Sequence, residues 1–195
     1  MKNYKLIWLG IFCCLQPLIL FAQRGEMIRK AFLDPKSDQV LVVAHRGNWR
    51  SAPENSVAAI DSAIQMGVDI VEIDIHKTKD GQLILMHDDR VDRTTNGKGL
   101  IKDYTLAEIK KLKLKDKDGN LTEHIVPTLE EALLAGKGQI MFNLDKAYSV
   151  FDEVYAELEK TGTASLVIMK GGQPVETVKS EFGDYLDKVI YIPVI

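Results

Sequence analysis

Three short apolar runs in the first half of this chain each end in a cluster of charged or ionisable side chains. Val40–Val43 leads into Ala44-His45-Arg46-Gly47, Ile70–Val71 into Glu72-Ile73-Asp74, and Leu83–Leu85 into Met86-His87-Asp88. Nearly unbroken apolar strands are expected where a sheet is covered on both faces, as parallel sheets are. In such folds the chemistry sits at the C-terminal tips of the strands. The pattern therefore predicts a site built from two imidazoles, a guanidinium and at least two carboxylates.

The first 22 residues read as a secretory signal peptide. Lys2 and Lys5 give a basic start, Leu6 to Phe21 is apolar but for Gln16 and Pro17, and Ala22 offers a small residue for cleavage. The run is short for a membrane span and is broken by Gln and Pro, so no stable membrane anchor is expected after cleavage. Both cysteines, Cys13 and Cys14, leave with the peptide, so no disulfide is expected. Loss of the two lysines takes the net charge from −3 to −5, which argues against nonspecific nucleic-acid binding. The expected localisation is periplasmic or secreted. Residues 23–195 are enough for one domain with a real core.

Strands and helices alternate along the remainder. Strands are expected over Val40–Ala44, Val68–Ile75, Leu83–Met86, Gln139–Leu144, Ser165–Met169 and Lys188–Val194. Asn55 is placed as the cap of a helix over Ser56–Met66. Capping boxes at Thr105/Glu108 and Thr128/Glu131 open helices over Leu106–Leu112 and Leu129–Leu134. A helix over Val150–Lys160 is closed by Gly162, and Pro174 opens another toward Phe182. Asp88–Asp118 reads as a polar excursion with one helix. This alternation predicts an α/β fold with a mostly parallel sheet, either open or curled into a barrel; length alone favours the open sheet.

The link from the second strand to the third is too short for a crossover helix. Asp80-Gly81 suggests a hairpin turn locally. A hairpin folding back from Asp74, however, would carry His87 to the wrong end of the sheet. Eight extended residues at ~3.3 Å each reach roughly 26 Å, so 75–82 is expected to run back down, with the third strand rising parallel to the second.

Glu72 and Asp74 are two apart on a strand and point to the same side. Buried together, they call for a counter-charge, and a hard cation with oxygen ligands, Mg²⁺ or Ca²⁺, supplies one. His76 continues that face further out and is read as solvated. His45 and His87 are candidates for a general base and a general acid, and Arg46 for a bidentate grip on phosphate. Trp49 is placed at the mouth.

These residues resemble the glycerophosphodiester phosphodiesterase family. The likeness rests on His45-Arg46-Gly47, Pro53-Glu54-Asn55-Ser56, Glu72-Ile73-Asp74, Thr78-Lys79-Asp80-Gly81, His87-Asp88 and Arg93-Thr94-Thr95-Asn96-Gly97 in order, extended by Ile125 to Glu131. It implies a parallel (β/α) TIM-type barrel with a small insertion after strand three. Here that barrel is expected to be incomplete, with strands one to six of eight: a fragment, a barrel completed by two chains, or an open sheet. It also implies metal-dependent hydrolysis of glycerophosphodiesters to glycerol 3-phosphate and an alcohol. The alternatives are a related phospholipase C- or D-like phosphodiesterase, or an inactive phosphate- and metal-binding remnant. By the family's pattern His45 and His87 are the acid/base pair, Arg46 contacts phosphate, Glu72 and Asp74 bind the cation, and Glu54 and Asn55 shape the site. The family's third metal ligand is usually Glu, with Lys two residues later. Asp145 aligns best with that Glu, and Lys146 follows at once. On a strand, Asn143 shares the face of Asp145 while Lys146 points away or marks the strand's end. Lys170, at the tip of strand five, is the expected replacement cation for phosphate.

Overall fold

The computed structural model describes residues 23–194; the leader expected over 1–22 lies outside the described residues. Helix α1 covers 23–33. It is followed by β1 (Val43–His45), α2 (Val57–Gln65), β2 (Ile70–Lys77), β3 (Leu83–Leu85), α3 (Leu106–Ile109), β4 (Lys113–Lys115), β5 (Leu121–Ile125), α4 (Leu129–Gly136), β6 (Met141–Asp145), α5 (Phe151–Thr161), β7 (Val167–Gly171), α6 (Val175–Leu186) and β8 (Ile190–Pro193). Strands β1, β2, β6, β7 and β8 lie side by side in that order, all parallel. Among the described residues β8 does not return to pair with β1, so the barrel is not closed.

Alternation along the strands divides the interior in two. The outward residues Val71, Ile73, Phe142, Leu144, Val167 and Met169 pack under the helices, against Ile60, Leu133, Val154, Leu158 and Val178. The inward residues change character along the strand. Low in the interior, Ile70, Met141 and Ile168 meet Ile28 of α1. One or two steps higher come Glu72 and Asp74, Asn143 and Asp145, and Lys170. Apolar burial thus fills the base, and the tips are left for polar groups.

Helix α1 was not anticipated from the sequence. It covers the base of the sheet, and its Arg24 guanidinium donates to the carbonyls of Gly67, Val68 and Gln139 at 2.7–2.9 Å and to Asp69 at 3.1 Å. One arginine thereby satisfies backbone acceptors at the N-terminal ends of β2 and β6, which would otherwise be left unpaired.

The third strand corrects an expectation. β3 is antiparallel to β2, with Ile75, His76 and Lys77 opposite Leu85, Ile84 and Leu83. β2 does not stop at Ile75, as expected, but runs on to Lys77. A hairpin from Lys77 therefore comes back only as far as Asp74, and the Met86 N–H donates to the Asp74 carbonyl at 3.1 Å. The hairpin delivers His87 to the tip without any return down the barrel. Its turn is set by Thr78, whose hydroxyl meets Asp80 at 2.6 Å, and by Gly81 at φ +81°.

The excursion after β3 is more ordered than its polarity suggests. It includes the β4–β5 hairpin, and Ile84, Met86, Val91, Ile101, Ile109, Leu114 and Val126 form a separate small core. Both predicted capping boxes are present, and Gly162 closes α5 in the left-handed region at φ +65°. The cap of α2 is Ser56, not Asn55: the Ser56 hydroxyl accepts from the Ala59 N–H.

Candidate active site

Freed from capping, Asn55 turns inward. Its amide donates to Asp74 at 2.9 Å, and its carbonyl oxygen accepts from the Asp74 N–H at 3.0 Å. Holding this reciprocal pair requires a left-handed backbone at Asn55 (φ +54°), and Arg46 (φ +57°) and Lys146 (φ +60°) share that conformation. Every non-glycine residue with positive φ among the described residues lies at this site, which is where backbone strain is tolerated for function.

Register sets the carboxylates. His45 lies opposite Glu72, Glu72 opposite Asn143, and Asp74 opposite Asp145. One oxygen each from Glu72, Asp74 and Asp145 can be chosen so that all three lie within 4.8 Å of one another. Glu72 and Asp74 are buried, at 5% and 1% exposure. Burial, together with the Asp74 charge, pushes the Glu72 carboxyl up from its ordinary range, against the hydrogen bond it accepts from the Arg46 N–H at 2.9 Å. The Asn143 Oδ1 on the same face is buried without a hydrogen-bond partner. Three oxygen acids with an unmet oxygen beside them fit a hard divalent cation.

Three basic groups surround this cluster. The Arg46 Nε is 3.6 Å from Asp74 and its Nη1 donates to Glu54 at 3.1 Å. Lys170 donates to Asp145 at 2.9 Å, so the lysine expected to meet phosphate stands at the site already paired with a carboxylate. Lys146 marks the end of β6, one of the two expectations for it, but it does not point away. Its left-handed backbone reverses the strand alternation and brings Nζ onto the His87 carbonyl and to 3.9 Å from Asp74.

The two imidazoles flank the carboxylates. His45 is two-thirds exposed, with Nε2 3.9 Å from Glu72. The His87 Nδ1 meets Asp88 at 2.7 Å, which leaves Nε2 for proton exchange. Arg93 then joins the parts. It donates to both Glu54 oxygens at 2.8 Å and to both Asp88 oxygens at 2.7 and 3.1 Å. The Arg93 hydrogen bond, opposed by burial and helped by His87, holds the Asp88 carboxyl far below its usual range. Burial pushes Glu54 up, but Arg93 and Arg46 together outweigh it, so its carboxyl too lies below the ordinary value. His76 is half-buried rather than freely solvated. Burial lowers its pKa, and its ring approaches the His87 carbonyl at 3.3 Å, so it buttresses the loop that carries His87. Sequence reasoning did not find the Arg93 clamp or the inward Lys146. Arg93 was visible only as part of a motif, and Lys146 depends on a backbone angle.

The model of the glycerophosphoryl diester phosphodiesterase family matches residues 45–172, which hold all of these side chains. The chain belongs to the glycerophosphoryl diester phosphodiesterase family. A glycerophosphodiester phosphodiesterase of Caldanaerobacter subterraneus is 45% identical over 109 residues, covering 55% of this chain and 45% of that protein. The crystal structure of a glycerophosphoryl diester phosphodiesterase from Parabacteroides distasonis superposes with a TM-score of 0.77 at 26% identity, over 88% of this chain and 60% of that one. A phosphodiesterase from Oleispira antarctica, solved with the product sn-glycerol-3-phosphate, gives 0.64 at 29% identity, over 80% and 65%. The chain spans about half the length of the curated relatives it matches. The expected family and the TIM-type parallel fold are thus both borne out, with the orientation of β3 as the correction.

Proposed function

We propose that this protein hydrolyses glycerophosphodiesters to glycerol 3-phosphate and an alcohol, with a divalent cation, Mg²⁺ or Ca²⁺, held by Glu72, Asp74 and Asp145. The observation that carries the reading is the placement of His45 and Arg46 against that carboxylate triad at the tips of β1, β2 and β6, with His87 delivered beside Asp74 at the end of β3 and tied to it through Lys146. The product found in the Oleispira antarctica enzyme supports the substrate class.

When bound, the cation supplies positive charge to a non-bridging phosphate oxygen. Arg46, anchored through Glu54, adds a second positive group on the same side. One imidazole accepts the proton of the attacking hydroxyl: water gives glycerol 3-phosphate in one displacement, whereas the substrate's own hydroxyl gives a cyclic phosphate that a water then opens to glycerol 3-phosphate. A new P–O bond forms, the bond to the alcohol breaks, and the other imidazole protonates the departing alkoxide. Asp88 keeps the His87 ring in a single orientation for this exchange. The roles of Asn55, holding Asp74, and of Lys170, holding Asp145, are to fix the ligands in place.

The chain, incubated with glycerophosphocholine and Mg²⁺ or Ca²⁺, is expected to release glycerol 3-phosphate, and chelation to stop the release. No release with either ion would overturn the reading. We further propose export through the leader at residues 1–22, giving a periplasmic or secreted protein. No helix among the described residues is long and apolar enough to cross a membrane. A secreted form that begins at Gln23 by N-terminal sequencing would support export.

A further inference from the structure

Arg93 reaches the site from the insertion after β3, and the insertion holds its backbone on both sides. The Asp92 carbonyl accepts from the Lys115 ammonium at 3.0 Å, and the Thr94 carbonyl accepts from the Lys115 N–H at 2.8 Å. The Asn96 N–H donates to the Lys113 carbonyl at 3.2 Å, and the Asn96 side-chain oxygen accepts from the Lys113 N–H at 2.9 Å. Val91 and Thr95 are fully buried, and Val91 shares the small core of the insertion with Met86 and Leu114. β4 thus fixes the segment around Arg93, whose half-exposed side chain extends to Glu54 and Asp88.

The guanidinium treats its two carboxylates alike. One oxygen of each goes to Arg93 alone: Asp88 Oδ2 accepts from Nε, and Glu54 Oε2 accepts from Nη1. The other oxygen is shared with a group of the site. Asp88 Oδ1 lies between Arg93 and His87, and Glu54 Oε1 lies between Arg93 and Arg46. Asp88 is 30% and Glu54 19% exposed. A carboxylate held only through its shared oxygen is free to turn about its own side-chain torsions, and the imidazole or guanidinium it carries turns with it. A planar fork can hold both acids at once, whereas an ammonium is a point charge.

We propose that Arg93 is a positioning residue for the reaction: mounted on the insertion, it orients the His87 imidazole through Asp88 and the Arg46 guanidinium through Glu54. The inference rests on the hydrolase reading for what His87 and Arg46 do. It gives the insertion a part in the chemistry without contact to substrate.

The first test needs no turnover. In the intact, metal-free chain with ¹⁵N-labelled histidines, two-bond ¹H–¹⁵N correlations report the tautomer of each imidazole, and His87→Ala identifies the His87 signals. With Asp88 ionised, neutral His87 is expected to carry its proton on Nδ1 alone. Arg93→Met is expected to give both tautomers in exchange. Arg93→Lys, which keeps the charge without the fork, is expected to do the same, and urea unfolding verifies that each variant is folded. The second test is kinetic, with glycerophosphocholine and Mg²⁺. Arg93→Met is expected to lower kcat about tenfold, inside the ~10²-fold that an acid–base imidazole supplies. Where His87 is already Ala the cost is expected to be about twofold or less, because residues that act as a unit are not additive. KM is expected to rise about threefold, the scale of one weakened contact, and not to rise where Arg46 is already Met. A residue that serves only the fold loses the same factor in every background. A single His87 tautomer in both Arg93 variants, a kcat cost undiminished by His87→Ala, or a KM rise undiminished by Arg46→Met would overturn the assignment. No glycerol 3-phosphate from the wild type, with a tautomer that depends on Arg93, removes the hydrolase and keeps the clamp on His87. Release by the wild type, with a tautomer that ignores Arg93, does the reverse.

Discussion

Arg93 places one guanidinium between two carboxylates, and each carboxylate holds a group of the proposed mechanism. Glu54 carries Arg46, and Asp88 carries His87. Both acids sit below their ordinary values of 4.5 and 3.8. A carboxyl depressed in the folded state adds stability above its unfolded pKa, and that stability is lost as pH falls through the folded value. Arg93→Met removes most of that depression. The stability gap between wild type and Arg93→Met is therefore expected to be flat from neutrality to about pH 5 and to shrink below it. Urea unfolding midpoints from pH 7 to pH 3 measure this, and a constant gap would refute it. Chemistry at the same scale gives a second expectation. His45→Ala and His87→Ala should each lower the rate of glycerol 3-phosphate release by about 10²-fold or more. Unchanged turnover in both would remove the imidazoles from the mechanism.

At the scale of elements, two turns that look alike in sequence carry different loads. Gly47 ends β1 at φ +75°, and a Cβ there would lie 2.7 Å from that of Ala59 on α2. Gly81 turns the β2–β3 hairpin at φ +81° with nothing within 4 Å of the added atom. Gly81→Ala meets only the left-handed penalty, about 1 kcal/mol. Gly47→Ala adds overpacking against a helix backbone, for a total of about 2–4 kcal/mol. Denaturant midpoints should separate the two variants in that order. These elements also show what could be read in advance. The parallel strands, both capping boxes and the paired carboxylates follow from local pattern, since periodicity and caps act within a few residues. The course of β2 past Ile75 did not, because His76 and Lys77 look like the end of a strand; their pairing with Ile84 and Leu83 is what extends it. Arg24 and α1 escaped notice because their value lies in backbone carbonyls far along the chain. Of the two tasks given to Asn55, the cap falls to Ser56 and the place in the site remains; Asn and Ser are both good caps, and only the approach of Asp74 decides between them.

Across the whole molecule, the interior is apolar at its base and ionic at its tips, so folding and function draw on different layers of the same strands. Burying Glu72 and Asp74 side by side opposes folding, as the raised Glu72 carboxyl indicates; a cation that binds only the folded chain reverses the sign. At a hundredfold excess over its dissociation constant, such an ion stabilises by about 2.7 kcal/mol. For a chain of this size that is a rise in Tm of roughly 5–10 °C. Glu72→Gln keeps an oxygen for the Arg46 N–H but removes the charge. In EDTA this variant is expected to melt at or slightly above the wild-type temperature, because like-charge repulsion is relieved. In saturating Mg²⁺ it is expected to melt below wild type, because the ligand is gone. Thermal melts of both proteins with and without the ion test this crossing. A variant destabilised equally in both conditions would show that Glu72 serves the fold and not a cation.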